Sequence, residues 1–352
     1  MKKFLFLLIL LCLALPAAAQ EKPLTQAEYV SMLYALPKNP SSKAALVDAL
    51  RKRGISFVLT DGLRGLTRTK SANDDELKRT LEEAERRRQD PVAAKLPSDA
   101  ESNEILRKAA NNTLAAVGDM PDFVVKQQIQ RSAGYAGTNN FRDIDRLVVA
   151  VSYRSSGEEN YRVLTRDGVL QNEPEAKQSY EQVGGTSSTG EFVTMLATIF
   201  KPESRTDFEL VSTDVIRGRR TLVFGFDVDR DLAKQVITAV GYSTDTTISG
   251  MKGRLWIDRE DARVLRVESE ATGIPANFPV RSAKRTIDYE WVSIEGEKYL
   301  LPSLSDVRLT SSHSSKLYET RNLIRFRDYQ KYGTDVRILD EDVTPDKDEK
   351  PD

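Results

Sequence analysis

Apolar residues recur along this chain at two different periods, and the change of period divides it. From Thr25 to Arg88 they recur every three or four residues, the spacing of one buried helical face. Thr25 with Glu28 forms a capping box, and Val30, Leu33 and Tyr34 share a helical side that Pro37 and Pro40 bring to an end. A second helix opens near Ser41 or Ser42, carries Leu46, Val47 and Leu50, and stops at Arg51-Lys52-Arg53-Gly54. Ile55, Phe57, Val58 and Leu59 then plug the centre of this small module. Thr60 and Asp61 cap a short helix with Leu63 and Leu66. Ser71 with Asp74 caps a fourth, with Leu77, Leu81 and Ala84 on its apolar side. The charged end EEAERRR of that helix is expected to fray or project, with Glu82 and Arg86 pairing four residues apart. The stretch QDPVAAKLPSD breaks the pattern. One more helix follows from Ser98, carrying Ile105, Leu106, Ala109, Leu114 and Val117.

After Pro121 the period falls to two. Phe123, Val125 and Ile129 lie on one side of a first strand, and Leu147, Val149, Val151 and Tyr153 on one side of a second. Eight more follow: around Tyr161–Thr165, Phe208–Ile216, Thr221–Val228, Ile248–Ile257, Val264–Ala271, Thr286–Ile294, Tyr299–Leu309 and Tyr318–Phe326. Nearly every connection is hairpin-sized, which demands antiparallel neighbours because a parallel crossover needs about a dozen residues. Lys252 and Arg254 alternate with Leu255 and Ile257, and Arg266 and Glu268 with Leu265 and Val267. One face is therefore expected to be apolar and the other wet. The helix before Phe123 is one cover for the apolar face. A second, opened by a Ser188–Glu191 capping box, turns Phe192, Met195, Leu196, Ile199 and Phe200 inward and stops at Pro202.

The ends change the picture. Lys2 and Lys3, an apolar run from Phe4 to Leu15, Pro16 and Ala17-Ala18-Ala19 form a signal peptide expected to be cleaved between Ala19 and Gln20. The expected location is periplasmic or secreted. Cys12 falls inside that run, so the mature chain has no cysteine and depends on packing. The tail from Asp340, DEDVTPDKDEKPD, buries too little to offset its ordering entropy. The expected organisation is a signal peptide (1–19), a helical module (20–90), a linker (91–99), a sheet domain with cover helices (100–335) and a disordered acidic tail (336–352). With 52 basic and 53 acidic residues the charges cancel, so no nucleic-acid partner is expected, and no second apolar run is long enough to span a membrane.

Catalytic chemistry is hard to assemble from these residues. The single histidine, His313, lies among serines beside a late strand, with no nucleophile elbow. The carboxylates Asp258, Glu260 and Asp261 read as a hairpin turn, and Asp227 and Asp229 as a strand end. Gly184-Gly185-Thr186-Ser187 lacks the lysine of a phosphate loop. No catalytic residue, metal site or cofactor is expected. The aromatic residues offer either a core or an apolar pocket. In the second case Phe192, Met195 and Leu196 form the lid, Phe224, Phe226, Trp256 and Trp291 line the sheet, and Ile274 and Phe278 sit at the mouth.

The order helix, MPDFVVKQQ, GEFVTMLATIFKP, RGRRTLVFGFDV, GMKGRLWIDREDARVLRVE, IPANFP and IDYEWVSIEGEKYLLP resembles a group of uncharacterised exported proteins of the acidobacterial kind, over most of residues 100–330. More distantly, the plan is similar to the periplasmic lipoprotein-carrier and regulator fold (LolA, LolB, RseB), with Gly253–Asp258 as the local cue. That resemblance implies a sheet curved around an acyl-binding cavity. The expected fold is α+β: a small N-terminal helical module followed by a large curved antiparallel β-sheet covered by helices. The expected function is a non-catalytic cell-envelope binding protein that holds or senses a lipid or a lipoprotein acyl chain. The alternative is an envelope scaffold that docks a protein partner through residues 20–90.

Overall fold

The computed structural model describes residues 22–39, 42–171, 190–192, 194–240, 244–313 and 316–332. The signal peptide and its cleavage site, the acidic tail, the Gly184–Ser187 loop and the Ser188 cap lie outside the described residues.

Four helices come first: α1 (Gln26–Ala35), α2 (Ser42–Arg53), α3 (Asp61–Lys70) and α4 (Asp75–Gln89). The Thr25–Glu28 capping box is present in both directions. For α4 the cap is Asp74, whose carboxylate accepts from the Leu77 amide, while Ser71 accepts from the Asp74 amide. Leu24, Leu33, Leu46, Leu50, Leu77 and Leu81 close a core of their own, with Ile55 and Leu59 inside it and Val58 exposed. Tyr29 donates to or accepts from Thr67 at 2.6 Å within that core, and burial pushes its hydroxyl up to about 12.

Next come α5 (Asp99–Gly118) and one twelve-stranded antiparallel sheet. Its strands are β1 (Phe123–Tyr135), β2 (Arg142–Tyr153), β3 (Glu159–Arg166), β4 (Val169–Leu170), β5 (Asp207–Ile216), β6 (Arg219–Val228), β7 (Gln235–Val240), β8 (Thr244–Asp258), β9 (Val264–Thr272), β10 (Val280–Ile294), β11 (Glu297–His313) and β12 (Lys316–Lys331). A short helix, α6 (Thr194–Phe200), precedes β5, and a single turn, α7 (Arg230–Ala233), follows β6. Gly190 turns the chain ahead of α6, so Glu191 and Phe192 lie before that helix rather than in its first turn.

The strand order is β4-β3-β2-β1-β12-β11-β10-β9-β8-β6-β5, with β7 paired to β8. This path corrects the expected curvature. The sheet is open, with β4 and β5 as its ends, and it is neither closed nor strongly curled. The physical reason is its cover. A sheet with helices packed on both faces has little bare apolar surface to wrap inward, and α4 and α2 pack along the β5 edge that closure would otherwise have to pair.

On the apolar face, Leu222, Phe224 and Phe226 of β6, Leu255 and Ile257 of β8 and Val267 of β9 pack against Ile105 and Ala109 of α5 and Met195, Ile199 and Phe200 of α6. Toward β2 a second cluster surrounds Phe123, which stacks on Tyr153 at 4.9 Å and meets Phe192 edge-on at 5.3 Å. Gln127 and Ser305 are polar exceptions on this face, and Gln127 is the larger. It is fully buried between Val149 and Phe326, and neither its amide nitrogen nor its oxygen has a hydrogen-bond partner. Leaving such a group unsatisfied costs about 1–3 kcal/mol. Gln127→Met keeps the side-chain length and removes the polar atoms, and it raises stability by about 1–2 kcal/mol in urea unfolding. A lowered midpoint would refute that reading.

Candidate functional site

The polar face of the sheet is only partly wet. Lys252 is exposed, but Arg254 is only 7 % exposed, and Arg266 and Glu268 are largely covered. The cover is the helical module, and its contact element is the helix end that the sequence reading sent into solvent. The apolar side of α4 faces the module core through Leu77, Leu81 and Ala84. Its other side carries Asp75, Arg79, Glu83 and Arg86, spaced four, four and three residues apart and alternating in sign. That spacing keeps them on one stripe.

The sheet answers with the opposite signs. Asp75 pairs with Arg308 of β11, with Arg321 of β12 at 3.6 Å. Arg79 meets Glu268 of β9 at 3.1 Å, Glu83 meets Arg254 of β8 at 3.0 Å, and Arg86 makes two bonds to Asp214 of β5, at 2.8 and 3.0 Å. Glu82 turns the other way and binds Arg64, so the expected Glu82–Arg86 pair is replaced by two tertiary ones. Trp256 lies fully buried under this seam. Its indole N–H donates to Asp214 at 3.0 Å, and the Arg254 guanidinium sits 4.4 Å from its ring centre.

Beside the seam opens a cleft of 720 Å³. Lys43 and Arg51 of α2, with Asp74 and Glu76 at the start of α4, form one wall, and the β1–β2 turn at Gly137 and Asn139 forms another. The floor is a charged row that crosses six strands in direct register: Asp207, Asp227, Lys252, Glu270, Lys284 and Arg308. Residues directly opposite in register share a face. The row is polarised, with two carboxylates at the β5–β6 end and two cations at the β10–β11 end. Gly225 leaves a gap among the side chains of the floor, and Gly253 and Phe226 of the neighbouring positions also border the cleft. Among the described residues no group of histidine, cysteine or carboxylate side chains is arranged to hold a metal ion. No helix among them is long and apolar enough to cross a membrane.

Charge pairing sets the protonation states here. Burial alone would raise the Glu268 carboxyl, but the Arg254 and Arg79 guanidiniums override it and hold it well below the usual range. Burial is likewise outweighed at Asp75, by Lys78, Arg308 and Arg321, and at Glu76, by Lys43 and Arg51, so both carboxyls are lowered. A carboxyl depressed in the folded state stabilises fully above its unfolded value and loses that contribution as the pH falls through its folded value. The module should therefore stay attached from neutral pH down to about pH 4, the ordinary carboxylate range, and be released only below it. Asp75 and Glu268 act across the seam, whereas Glu76 is paired within the module and Glu159, which burial raises, lies on the other face away from the seam. A pH titration of Trp256 emission checks this, and release beginning near neutrality would contradict it.

The sequence-predicted site residues do not share one place. Met195, Leu196, Phe224 and Phe226 meet in the cluster under α5 and α6. Phe192 packs with Phe123 and Phe326 in the neighbouring cluster. Ile274 and Phe278 belong to a small cluster with Ile237 and Val280. Trp256 is on the opposite face with Ile216 and Val223. Trp291 is 46 % exposed, with Arg263 5.9 Å from its ring centre. His313 ends β11 on the surface, and Asp258 accepts from the Glu260 and Asp261 amides in its hairpin turn. The sequence pairs Arg86 with Glu82 and leaves Asp75, Arg79 and Glu83 unassigned, although their alternating signs at spacings of four, four and three are a readable signal.

No protein-family model matches the chain, and no curated protein matches it. Solved structures with a remote likeness to the chain include the following. A DUF1329 family protein from Desulfovibrio piger is 8 % identical, covers 68 % of this chain and 97 % of its own, and gives a TM-score of 0.26. The Pseudomonas aeruginosa MucA/MucB complex is 11 % identical over 62 % of this chain and 94 % of that one, with a TM-score of 0.16. MucB in complex with MucA(peri) is 12 % identical over 62 % and 93 %, with a TM-score of 0.16. TM-scores this low carry no argument about what the chain does.

Proposed function

We propose that this chain is a non-catalytic, exported interaction protein that docks a charged, extended segment of an envelope protein in the cleft between its helical module and its sheet. Export rests on the basic-apolar-small pattern of residues 1–19. The observation that carries the docking is the polarised row from Asp207 to Arg308 along the floor of a 720 Å³ cleft. Such a row favours a segment with cations over Asp207 and Asp227 and a carboxylate over Lys284, Arg308 being held by Asp75 and Glu319, and it disfavours the reverse orientation. An acyl chain has no comparable seat, because Phe192, Met195, Leu196 and Phe224 are occupied with one another and with the cover helices.

The test is fluorescence anisotropy with a labelled peptide that is lysine-rich at one end and glutamate-rich at the other, beside a peptide of uniform negative charge and a fluorescent fatty acid. The polarised peptide binds best, its affinity falls with salt, and Asp227→Lys weakens it by about tenfold, the cost of reversing a partly exposed charge. Preference for the fatty acid, or indifference to Asp227→Lys, would defeat the proposal.

A further inference from the structure

We infer that α4 is a detachable ionic clasp, and that its attachment regulates the docking cleft; the second half of this inference rests on the reading of the cleft given above. Three observations support the clasp. The helical module closes its own apolar core, and none of that core is shared with the clusters of the sheet. Its grip on the sheet is a stripe of four alternating charges, Asp75, Arg79, Glu83 and Arg86, matched sign for sign by the strands below. The chain then leaves α4 at Asp90 and enters α5 at Asp99, so a short connection, mostly exposed or half-buried, joins the module on the charged face to a helix on the apolar face.

An interface of this kind behaves differently from a core. Its attraction is electrostatic, salt weakening the pairs of the half-exposed Arg79 and Arg86 more than the buried Glu83–Arg254 pair, and the apolar surface on this face is a small cluster, Trp256 with Ile216 and Val223. The module can therefore leave the sheet with both units still folded, as polar interfaces within a chain commonly permit. The cleft does not survive that motion. Lys43, Asp74 and Glu76 come from the module, while Asp227, Lys252 and Lys284 come from the sheet. A segment that contacts both walls binds only the attached form, so binding favours attachment and detachment expels the segment, each by the same factor.

The experiment uses the chain from Gln20 onward, which has no cysteine of its own. Spin labels are placed at Asp48→Cys on α2 and Glu297→Cys on β11, both exposed. Wild type at low salt gives one narrow distance distribution. Glu83→Lys with Arg86→Glu, neither of which lines the cleft, broadens the distribution to longer distances. The far-ultraviolet dichroism is unchanged, and the affinity for the polarised peptide falls at least tenfold. High salt shifts the wild type in the same direction, and the peptide reverses part of that shift. A distribution that stays narrow in the variant overturns the clasp. So does loss of helix and sheet together, because module and sheet would then be one folding unit. If distances respond but the peptide binds neither protein, the docking reading falls and the clasp stands. If the peptide binds both proteins equally, the regulation falls.

Discussion

Gly253→Ala unfolds the centre of the sheet. A Cβ at this position would lie 1.8 Å from the Glu268 carbonyl oxygen and 2.8 Å from its carbon, and 2.9 Å from the Ser269 Cα. All three are backbone atoms of β9, directly paired with β8. No rotamer change relieves that contact, so the two strands must part. They part where Arg254 and Glu268 hold the module and where Leu255 and Val267 hold the apolar core. The expected loss is about 4 kcal/mol or more, in the range reserved for severe core disruption. Gly65→Ala is the matched control. It lies inside α3 with nothing within 4 Å of the added carbon, and it should gain about 0.5–1 kcal/mol from the better helix former. Urea unfolding of the two variants settles the comparison, and a Gly253→Ala protein as stable as wild type would contradict the β8–β9 packing.

Arg254→Met detaches the module. Glu83 is 1 % exposed and its carboxylate bonds to Arg254 through both oxygens, at 3.0 and 3.3 Å. Removing the guanidinium leaves that carboxylate buried without its cation, which costs about 3–5 kcal/mol. Glu268 suffers less, since Arg79 still reaches it. The loss falls on the seam, so the Trp256 signal changes at a lower urea concentration than the dichroism of the sheet. Adding Glu83→Leu removes the stranded charge as well, and most of the loss returns, because a buried ion pair is worth little against an apolar pair of similar volume. Coincident and unshifted transitions in the single variant, or a double variant no better than the single, would count against the seam.

The local chemistry of the fold could be read from the sequence and its tertiary partnerships could not. The Thr25 capping box and the Ser98 cap are set by residues three apart, and they appear where the sequence places them. Period two from Phe123 onward marks antiparallel strands for the same reason, since each strand declares its own alternation. The curvature came from a resemblance rather than from any residue, and the open strand order shows why that was insufficient. The charged end of α4 hides its role because a Glu–Arg spacing of four has a local explanation, an exposed helical pair, whereas Arg86 and Glu83 find their partners 128 and 171 residues further along the chain. Trp256 was misplaced for a different reason. Its parity with Lys252 and Arg254 puts it on the charged face, and that information was present, but an indole among strands invites an apolar assignment. The cleft was invisible at this level, because its floor aligns six residues from six strands.

The covered charged face is tested most directly by the accessibility of one side chain. In a Trp291→Phe protein, Trp256 is the remaining tryptophan of the chain. With α4 seated over it, its emission is blue-shifted and acrylamide quenches it weakly in low-salt buffer at neutral pH. Emission and quenching like those of a free indole, in a protein with intact helix and sheet, would contradict the account.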